Sequence, residues 1–277
     1  MNDADFVFFE DLLKRESGLS ITREKTYLLE SRLLPLATRL GLEGLNGIIK
    51  ELKYARDSLL QKSVVEAMTT NETSFFRDNT PFQRMKEGVI PAFLKARAAQ
   101  KRLRIWSAAC SSGQEPYSLA MMFKEYGTAL DGWRVEIVAT DLSEDILAQA
   151  KQGVYTQFEV QRGLPIQMLV KYFAQEGDKW RVKPDIRNMI RFQPLNLLGS
   201  YGAMGAFDIV FCRNVLIYFD VQTKARVLKS IKNVMQRDGV LFLGGAETVI
   251  GVSSDFKAVP ALKGIYLRDD TTYAAVG

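Results

Sequence analysis

The spacing of apolar residues divides the chain into two regimes. Up to about residue 70 they recur with a period near 3.6, as amphipathic helices require. DFVFFEDLLKRESG predicts a first helix stopped by Gly18. TREKTYLLESRLLPLATRLG predicts a second, with Thr22 as N-cap, Gly41 as stop and a kink or early break at Pro35. LNGIIKELK and SLLQKSVVEAMTT complete a small helical unit. From about residue 81 another helical region, TPFQRMKEGVIPAFLKARAAQKR, is broken by Pro91. Short β-rich runs then alternate with helices: LRIWSAA, RVEIVATD, MIRFQPLN, FDIVFCRN, GVLFLGG and GIYLRDD. That alternation predicts an α/β domain whose mainly parallel sheet carries helices on both faces. Between about residues 155 and 190 the alternation is interrupted. There KWRVK and MIRFQ, behind the helical LPIQMLVKYF, predict a small inserted subdomain.

Composition narrows the chemistry. Of 277 residues, 47% are apolar, enough for a sizeable core. A net charge of +5 favours acidic partners, but Lys and Arg are not clustered among aromatics as a nucleic-acid platform requires. Two cysteines, Cys110 and Cys212, have no metal-type spacing and read as buried thiols in a reducing compartment. The N-terminal MNDADFVFFEDLL lacks the basic-then-apolar order of a secretory signal, and no apolar run reaches membrane-spanning length. A cytoplasmic location is expected, with no membrane insertion and no bound metal. The sequence contains no histidine, which excludes Ser-His-Asp and Cys-His nucleophile systems.

Candidate chemistry gathers at strand ends. LRIWSAACSSGQEPYSLAMMFKEY is a strand, a small-residue turn from Ser107 to Gly113, then a helix. Such a turn admits a ligand close to the backbone, yet it matches neither the dinucleotide fingerprint nor a P-loop. Glu115, just after it, would repel a phosphate; it suits a cationic or amine-bearing ligand, or simply complements the helix dipole. RVEIVATD ends in Asp141, placed either to accept two ribose hydroxyls or to cap the next helix, a role Ser143 fills better. FDIVFCRNVLIYFD turns at Arg213 and Asn214 and continues to Tyr218 and Phe219. Together these pieces describe a nucleoside site without phosphate machinery, and S-adenosylmethionine fits it. Lys25, Arg32 and Arg39, spaced seven apart, form either a solvated face or a docking surface for an acidic helix.

NETSFFRD, RIWSAACSSGQEPYSLAM, ATDLSEDILAQAKQGVY and FDIVFCRNVLIYFD closely resemble the chemotaxis receptor glutamate methyltransferase (CheR) family, over nearly the whole chain. The resemblance implies an all-α N-terminal domain (1–70), a linker contributing to the cofactor site (71–80) and a Rossmann-type S-adenosylmethionine-dependent methyltransferase domain (81–277). It places a small β-subdomain insert near 155–190. By motif match, Asn71, Thr73, Arg77, Glu115, Asp141, Asn196, Leu197, Arg213 and Asn214 should line the cofactor, with Arg77 and Tyr218 nearest the transferred methyl. Phe75 and Phe76 are expected as packing between linker and domain at least as much as ligand contacts.

The implied activity is methylation of glutamate side chains on the cytoplasmic coiled coil of chemoreceptors, by a monomer. It yields glutamyl 5-O-methyl esters and S-adenosylhomocysteine. A glutamate is ionised at neutral pH and needs no general base, so the missing histidine is compatible with that substrate. Relatives that dock a receptor C-terminal peptide use a glycine-rich loop in the subdomain. The matching YFAQEGDKWRV is short and has a single glycine, which argues against such tethering. A methyltransferase for another target, or a non-enzymatic S-adenosylmethionine-binding signalling module, is the competing expectation.

Overall fold

The computed structural model describes residues 1–55, 57–260 and 262–271. They group into two compact units: Met1–Thr70 with Tyr218–Thr223, and Asn71–Ile217 with the chain from Lys224 onward.

The first unit is helical. Asp3–Ser17 starts on Asn2, whose side chain accepts the Asp5 N–H, and ends on left-handed Gly18 (φ 78°), as the sequence predicts. Thr26–Arg39 follows a 3₁₀ turn and runs through Pro35 without breaking. Proline leaves the Ser31 carbonyl without its helical donor, but both residues are exposed, so water can take that place. Gly44–Tyr54 and Ser58–Met68 complete the unit, the latter capped by Asp57 accepting from Leu59 and Leu60 N–H. Phe9, Leu13, Leu29, Leu33, Ile48 and Val64 are fully buried within these helices. An antiparallel bridge pairs Leu19 with Phe219, the Ser20 N–H donates to the Tyr218 carbonyl (2.9 Å), and Lys14 meets Asp220 at 2.8 Å.

Among the described residues the second unit holds ten short strands. They are β1 (Arg102–Ala108), β2 (Arg134–Asp141), β3 (Val154–Thr156), β4 (Phe173–Glu176), β5 (Lys179–Val182), β6 (Ile190–Pro194), β7 (Phe207–Cys212), β8 (Met235–Leu243), β9 (Phe256–Ala258) and β10 (Ile265–Arg268). Seven of them form one sheet in the order β6-β2-β1-β7-β8-β10-β9. β6, β2, β1, β7 and β8 run parallel, and β10 and β9 are antiparallel additions at one edge. This is the Rossmann-type α/β arrangement expected. β7, FDIVFC, is buried at every position, as a central strand covered on both faces must be. Chain order reverses between β1 and β7, and in open α/β sheets ligands bind outside the carboxyl ends at such a point.

The remaining strands make a small antiparallel sheet, β3-β5-β4. MIRFQ, expected near this insert, instead supplies β6 at the edge of the main sheet. Before β1, Pro91 does not end the helical region. A π-helical turn over Met85–Val89 widens the backbone just ahead of it, and helix resumes at Ile90–Ala96. Among the described residues no helix is long and apolar enough to cross a membrane.

Candidate active site

Three chain segments meet at the carboxyl ends of β1, β2 and β7. After β1 the small residues Ala109 to Gly113 form a tight turn in which Ala109 (φ 53°), Ser111 (φ 51°) and Gly113 (φ 94°) are left-handed. The turn is tied to β2. The Cys110 N–H donates to the Thr140 carbonyl (2.9 Å), and the Ser111 N–H to Asp141 Oδ2 (2.8 Å). The other Asp141 oxygen accepts the Ser143 N–H (3.1 Å), while the Ser143 hydroxyl caps the next helix at Ile146. Burial raises the Asp141 pKa above its ordinary value, and the N–H groups of Ser143, Ser111 and Leu142 oppose the shift. From the small sheet, Tyr155 donates to the Ser112 carbonyl (2.7 Å) and braces the turn from behind.

The helix Gln114–Lys124 begins at this turn, and its Glu115 points into the sheet end. Ser107 Oγ donates to Glu115 Oε1 (2.8 Å), and Arg213 Nη1 donates to Oε2 (2.9 Å). The Arg213 side chain is 1% exposed and that of Glu115 11%, so this is a buried ion pair. Arg213 also holds the third segment: its Nη2 donates to the Arg77 carbonyl (2.9 Å) and to Asp78 Oδ2 (2.7 Å). Among the described residues the buried Arg213 Nε has no hydrogen-bond acceptor.

That third segment is NETSFFRD. The Ser111 hydroxyl donates to the Asn71 carbonyl (2.9 Å), and the Phe76 N–H donates to Ser118 Oγ (2.9 Å). Phe75 is fully buried, edge-on to Tyr155 and Phe173 at 5.0 and 5.6 Å; Phe76 lies edge-on to Phe82. Both aromatics therefore pack. A Cβ on Gly163 (φ +84°) would stand 2.1 Å from the Phe75 carbonyl oxygen, so only glycine admits this approach. Arg162 adds an ion pair to Glu72 (3.1 Å). Phe76, Asp78 and Asn79 are all left-handed. Among the described non-glycine residues, every positive φ except that of Lys101 lies in the turn after β1, in this segment and the Asn79 that follows it, or at Asn214 (φ 59°). Such backbone costs on the order of 1–3 kcal/mol per residue and persists where surrounding contacts enforce it.

Hydrogen bonds thus join the main chain of Asn71 to Asp141 through Ser111, and that of Arg77 to Glu115 through Arg213. Leu195 links β6 to the cluster by donating its N–H to the Asp141 carbonyl (2.9 Å); Asn196, whose Oδ1 accepts the Leu198 N–H, and buried Leu197 follow. Thr73 is half-buried. The Arg77 side chain donates to the Glu72 carbonyl (2.9 Å). Tyr218, Lys25, Arg32 and Arg39 belong to the helical unit. There Arg32 points its guanidinium at the Met68 and Thr69 carbonyls (2.6 and 2.9 Å), where it serves as a helix C-terminal cap. Lys25 and Arg39 are exposed.

Residues 71–265 match the family described as CheR methyltransferase, SAM binding domain, and residues 4–69 match CheR methyltransferase, all-alpha domain. The chain belongs to the CheR methyltransferase family. It is 43% identical over 270 residues to chemotaxis protein methyltransferase 1 of Pseudomonas aeruginosa, covering 96% of this chain and 98% of that one. It is 42% identical to chemotaxis protein methyltransferase Cher2 of Pseudomonas putida (94% and 96% covered) and 38% identical to the chemotaxis protein methyltransferase of Vibrio parahaemolyticus (97% and 98%). Among solved structures it shares 15% identity with the glycopeptide N-methyltransferase MtfA bound to S-adenosylmethionine, at a TM-score of 0.34 over 65% of this chain and 58% of that one, too slight a likeness to bear on function.

As a CheR methyltransferase the chain uses S-adenosylmethionine, and the donor set fits that molecule. The Asp141 carboxylate accepts N–H groups from Ser111, Ser143 and Leu142, and a carboxylate offers about four acceptor sites, so capacity remains for a hydroxyl. The orphaned Nε of Arg213 calls for an acceptor. Among the described residues no acidic, cysteine or histidine cluster could hold a metal ion. Sequence reasoning did not single out one acid beside these residues. Glu247 is 8% exposed and accepts backbone N–H groups from the turn after β7. Its only signal was an acid in GGAET, directly after an apolar strand.

Proposed function

We propose that the chain methylates glutamate side chains on the cytoplasmic coiled coil of chemoreceptors, giving glutamyl 5-O-methyl esters and S-adenosylhomocysteine. One observation carries this reading. The buried Arg213–Glu115 pair ties the strained segment at Arg77 and Asp78 to the strand ends. It does so in a chain 38–43% identical, over nearly full length, to proteins named chemotaxis protein methyltransferase.

Bound at the strand ends, S-adenosylmethionine supplies an electrophilic methyl group on a cationic sulfur. In this reading Asp141 accepts the ribose hydroxyls, and Glu115, already neutralised by Arg213, accepts from the amino group. Arg213 Nε and the planar guanidinium of Arg77 suit carboxylates. Asn71, Thr73, Asn196, Leu197 and Asn214 line the remainder. Arg77 and Tyr218 are the residues we assign to orienting the reacting glutamate. That carboxylate is ionised at neutral pH and needs no base, consistent with a chain lacking histidine. What the protein must supply is alignment, which contributes on the order of 7–11 kcal/mol when reacting groups are held in line.

Lys25 and Arg39 are cations available to an acidic receptor helix. Arg32 acts behind them, fixing the end of Ser58–Met68. Tethering through a receptor C-terminal peptide is not part of the proposal, because β4 and β5 are joined by a tight hairpin around the single Gly177. The enzyme is proposed to work as a monomer in the cytoplasm.

The test is incubation with tritiated methyl donor and chemoreceptor-containing membranes. The reading predicts counts on the receptor that alkali releases as volatile methanol. Alkali-stable counts would indicate another nucleophile, and no counts a binding module without methyl transfer.

A further inference from the structure

We propose that Glu247 is a positioning residue for this reaction, its buried carboxylate holding the turn after β7 so that Arg213 and Asn214 stay in register with the strand ends. The inference rests on the proposed donor site and adds a residue that does not itself touch the donor.

The turn from Asn214 to Leu216 exposes three successive backbone N–H groups on one side. Asn214 is left-handed (φ 59°), and a left-handed residue followed by helical ones makes a concave anion nest. Here the chain supplies the anion itself. Glu247 Oε1 accepts from Val215 (3.0 Å) and Leu216 (2.7 Å), while Oε2 accepts from Asn214 (2.8 Å) and from Gly244 (2.6 Å) at the end of β8. The Glu247 N–H donates in turn to the Gly244 carbonyl (3.0 Å), and its own carbonyl accepts the Tyr266 hydroxyl (3.5 Å). The carboxylate is therefore fixed from both sides and bonded at both oxygens.

Gly244 is a second, independent sign that this approach is built in. A Cβ there would lie 2.7 Å from Glu247 Oε2, 2.9 Å from Asn214 Nδ2 and 3.0 Å from Asn214 N. Only glycine lets the acid and the Asn214 backbone close on each other. The Cys212 thiol at the end of β7 reports the same neighbourhood: burial, then the charges of Glu247 and Glu115, push it well above its usual range. The two carboxylates thus flank the strand end from opposite partners. Glu115 holds the Arg213 side chain, and Glu247 holds the backbone that follows it. Without Glu247, the amides of 214–216 lose their acceptor in a partly buried setting.

The experiment compares parent, Glu247→Gln, Asn214→Ala and the double variant by titration calorimetry with S-adenosylhomocysteine, below each protein's melting range. A glutamine offers one acceptor oxygen and an NH₂ group that cannot accept from the facing amides. The inference predicts at least tenfold weaker binding for Glu247→Gln, and a double variant no weaker than the weaker single, because both changes disrupt one unit. A purely structural Glu247 would lower the melting temperature without that coupling. Folded Glu247→Gln binding within twofold of parent, or losses that multiply in the double variant, overturns the inference. If Glu247→Gln does not fold, Glu247→Asp, which keeps the charge on a shorter arm, must also bind more weakly, and parental affinity counts against us. In the parent, the amides of Asn214, Val215, Leu216 and Gly244 must be protected from hydrogen exchange, and unprotected amides overturn the inference. A parent that fails to bind S-adenosylhomocysteine removes the proposed function and this inference together. A parent that binds beside an equally competent Glu247→Gln removes this inference alone.

Discussion

Replacing Glu115 by glutamine keeps the shape of the side chain and removes one charge of a buried pair. Arg213, 1% exposed, then retains its positive charge with Asp78 as the remaining acid at 2.7 Å, and Asp78 is half exposed. Breaking a buried pair by removing one partner costs about 3–5 kcal/mol, because the other charge is left in a poor solvent. Asp78 and the Arg77 carbonyl still bond the guanidinium, so the low end, about 3 kcal/mol, applies here. For a body of this size each kcal/mol moves the melting temperature by about 2–4 °C, which gives a fall of roughly 6–12 °C. Scanning calorimetry on parent, Glu115→Gln, Arg213→Met and the double variant measures it. The double variant should lose less than the sum of the singles by at least about 1 kcal/mol, the usual sign of direct contact. A Glu115→Gln melting temperature within about 1 °C of parent, or strict additivity, would falsify the claim that this pair ties the strand ends to the 71–79 segment.

Other outcomes follow from the same contacts. Gly163→Ala must push the Phe75 carbonyl, 2.1 Å from the new Cβ, and hold alanine at φ +84°. The conformation alone costs on the order of 1–2 kcal/mol, so both the melting temperature and S-adenosylhomocysteine affinity should drop. Unchanged affinity would show that the Phe75 region can shift without disturbing the donor site. Arg77→Ala should lower methyl-transfer turnover at least tenfold with the melting temperature little changed, and near-normal turnover would remove its proposed role. Asp220, hydrogen-bonded by Lys14 and by the Thr223 N–H, is held at about 2, below its ordinary 3.8. Between those values the unfolded chain binds the proton first, so this contribution to stability is present above about pH 4 and lost as pH falls towards about 2. Asp220→Asn should flatten that part of a stability–pH curve, by a small amount since Lys14 is 54% exposed.

Sequence periodicity located what depends on local pattern. The runs that became β1, β2, β7 and β8 are apolar and β-branched enough to declare themselves, and Gly18 ended its helix as expected. β3, β4 and β9, three or four residues each, escaped notice; pairing, rather than a period of their own, makes them strands. Arg32 sits on the heptad-like row with Lys25 and Arg39, yet its head group finds carbonyls 36 and 37 residues away, a distance no local pattern encodes. Glu247 is hidden for the same reason, since the turn amides it collects lie 31 to 33 residues earlier. The motifs did single out Glu115, Asp141 and Arg213, because each stands beside a strand end. They did not reveal that Glu115 and Arg213 hold one another, which only the fold of β1 beside β7 brings about.

The proposed function requires a donor molecule held by the ends of β1, β2 and β7. The direct measurement is titration calorimetry of S-adenosylhomocysteine against the purified chain and its Asp141→Ala variant, with circular dichroism confirming that both are folded. Saturable binding at one site per chain, weakened at least tenfold in Asp141→Ala, is the predicted result; no heat with the parent, or equal affinity in the variant, contradicts it.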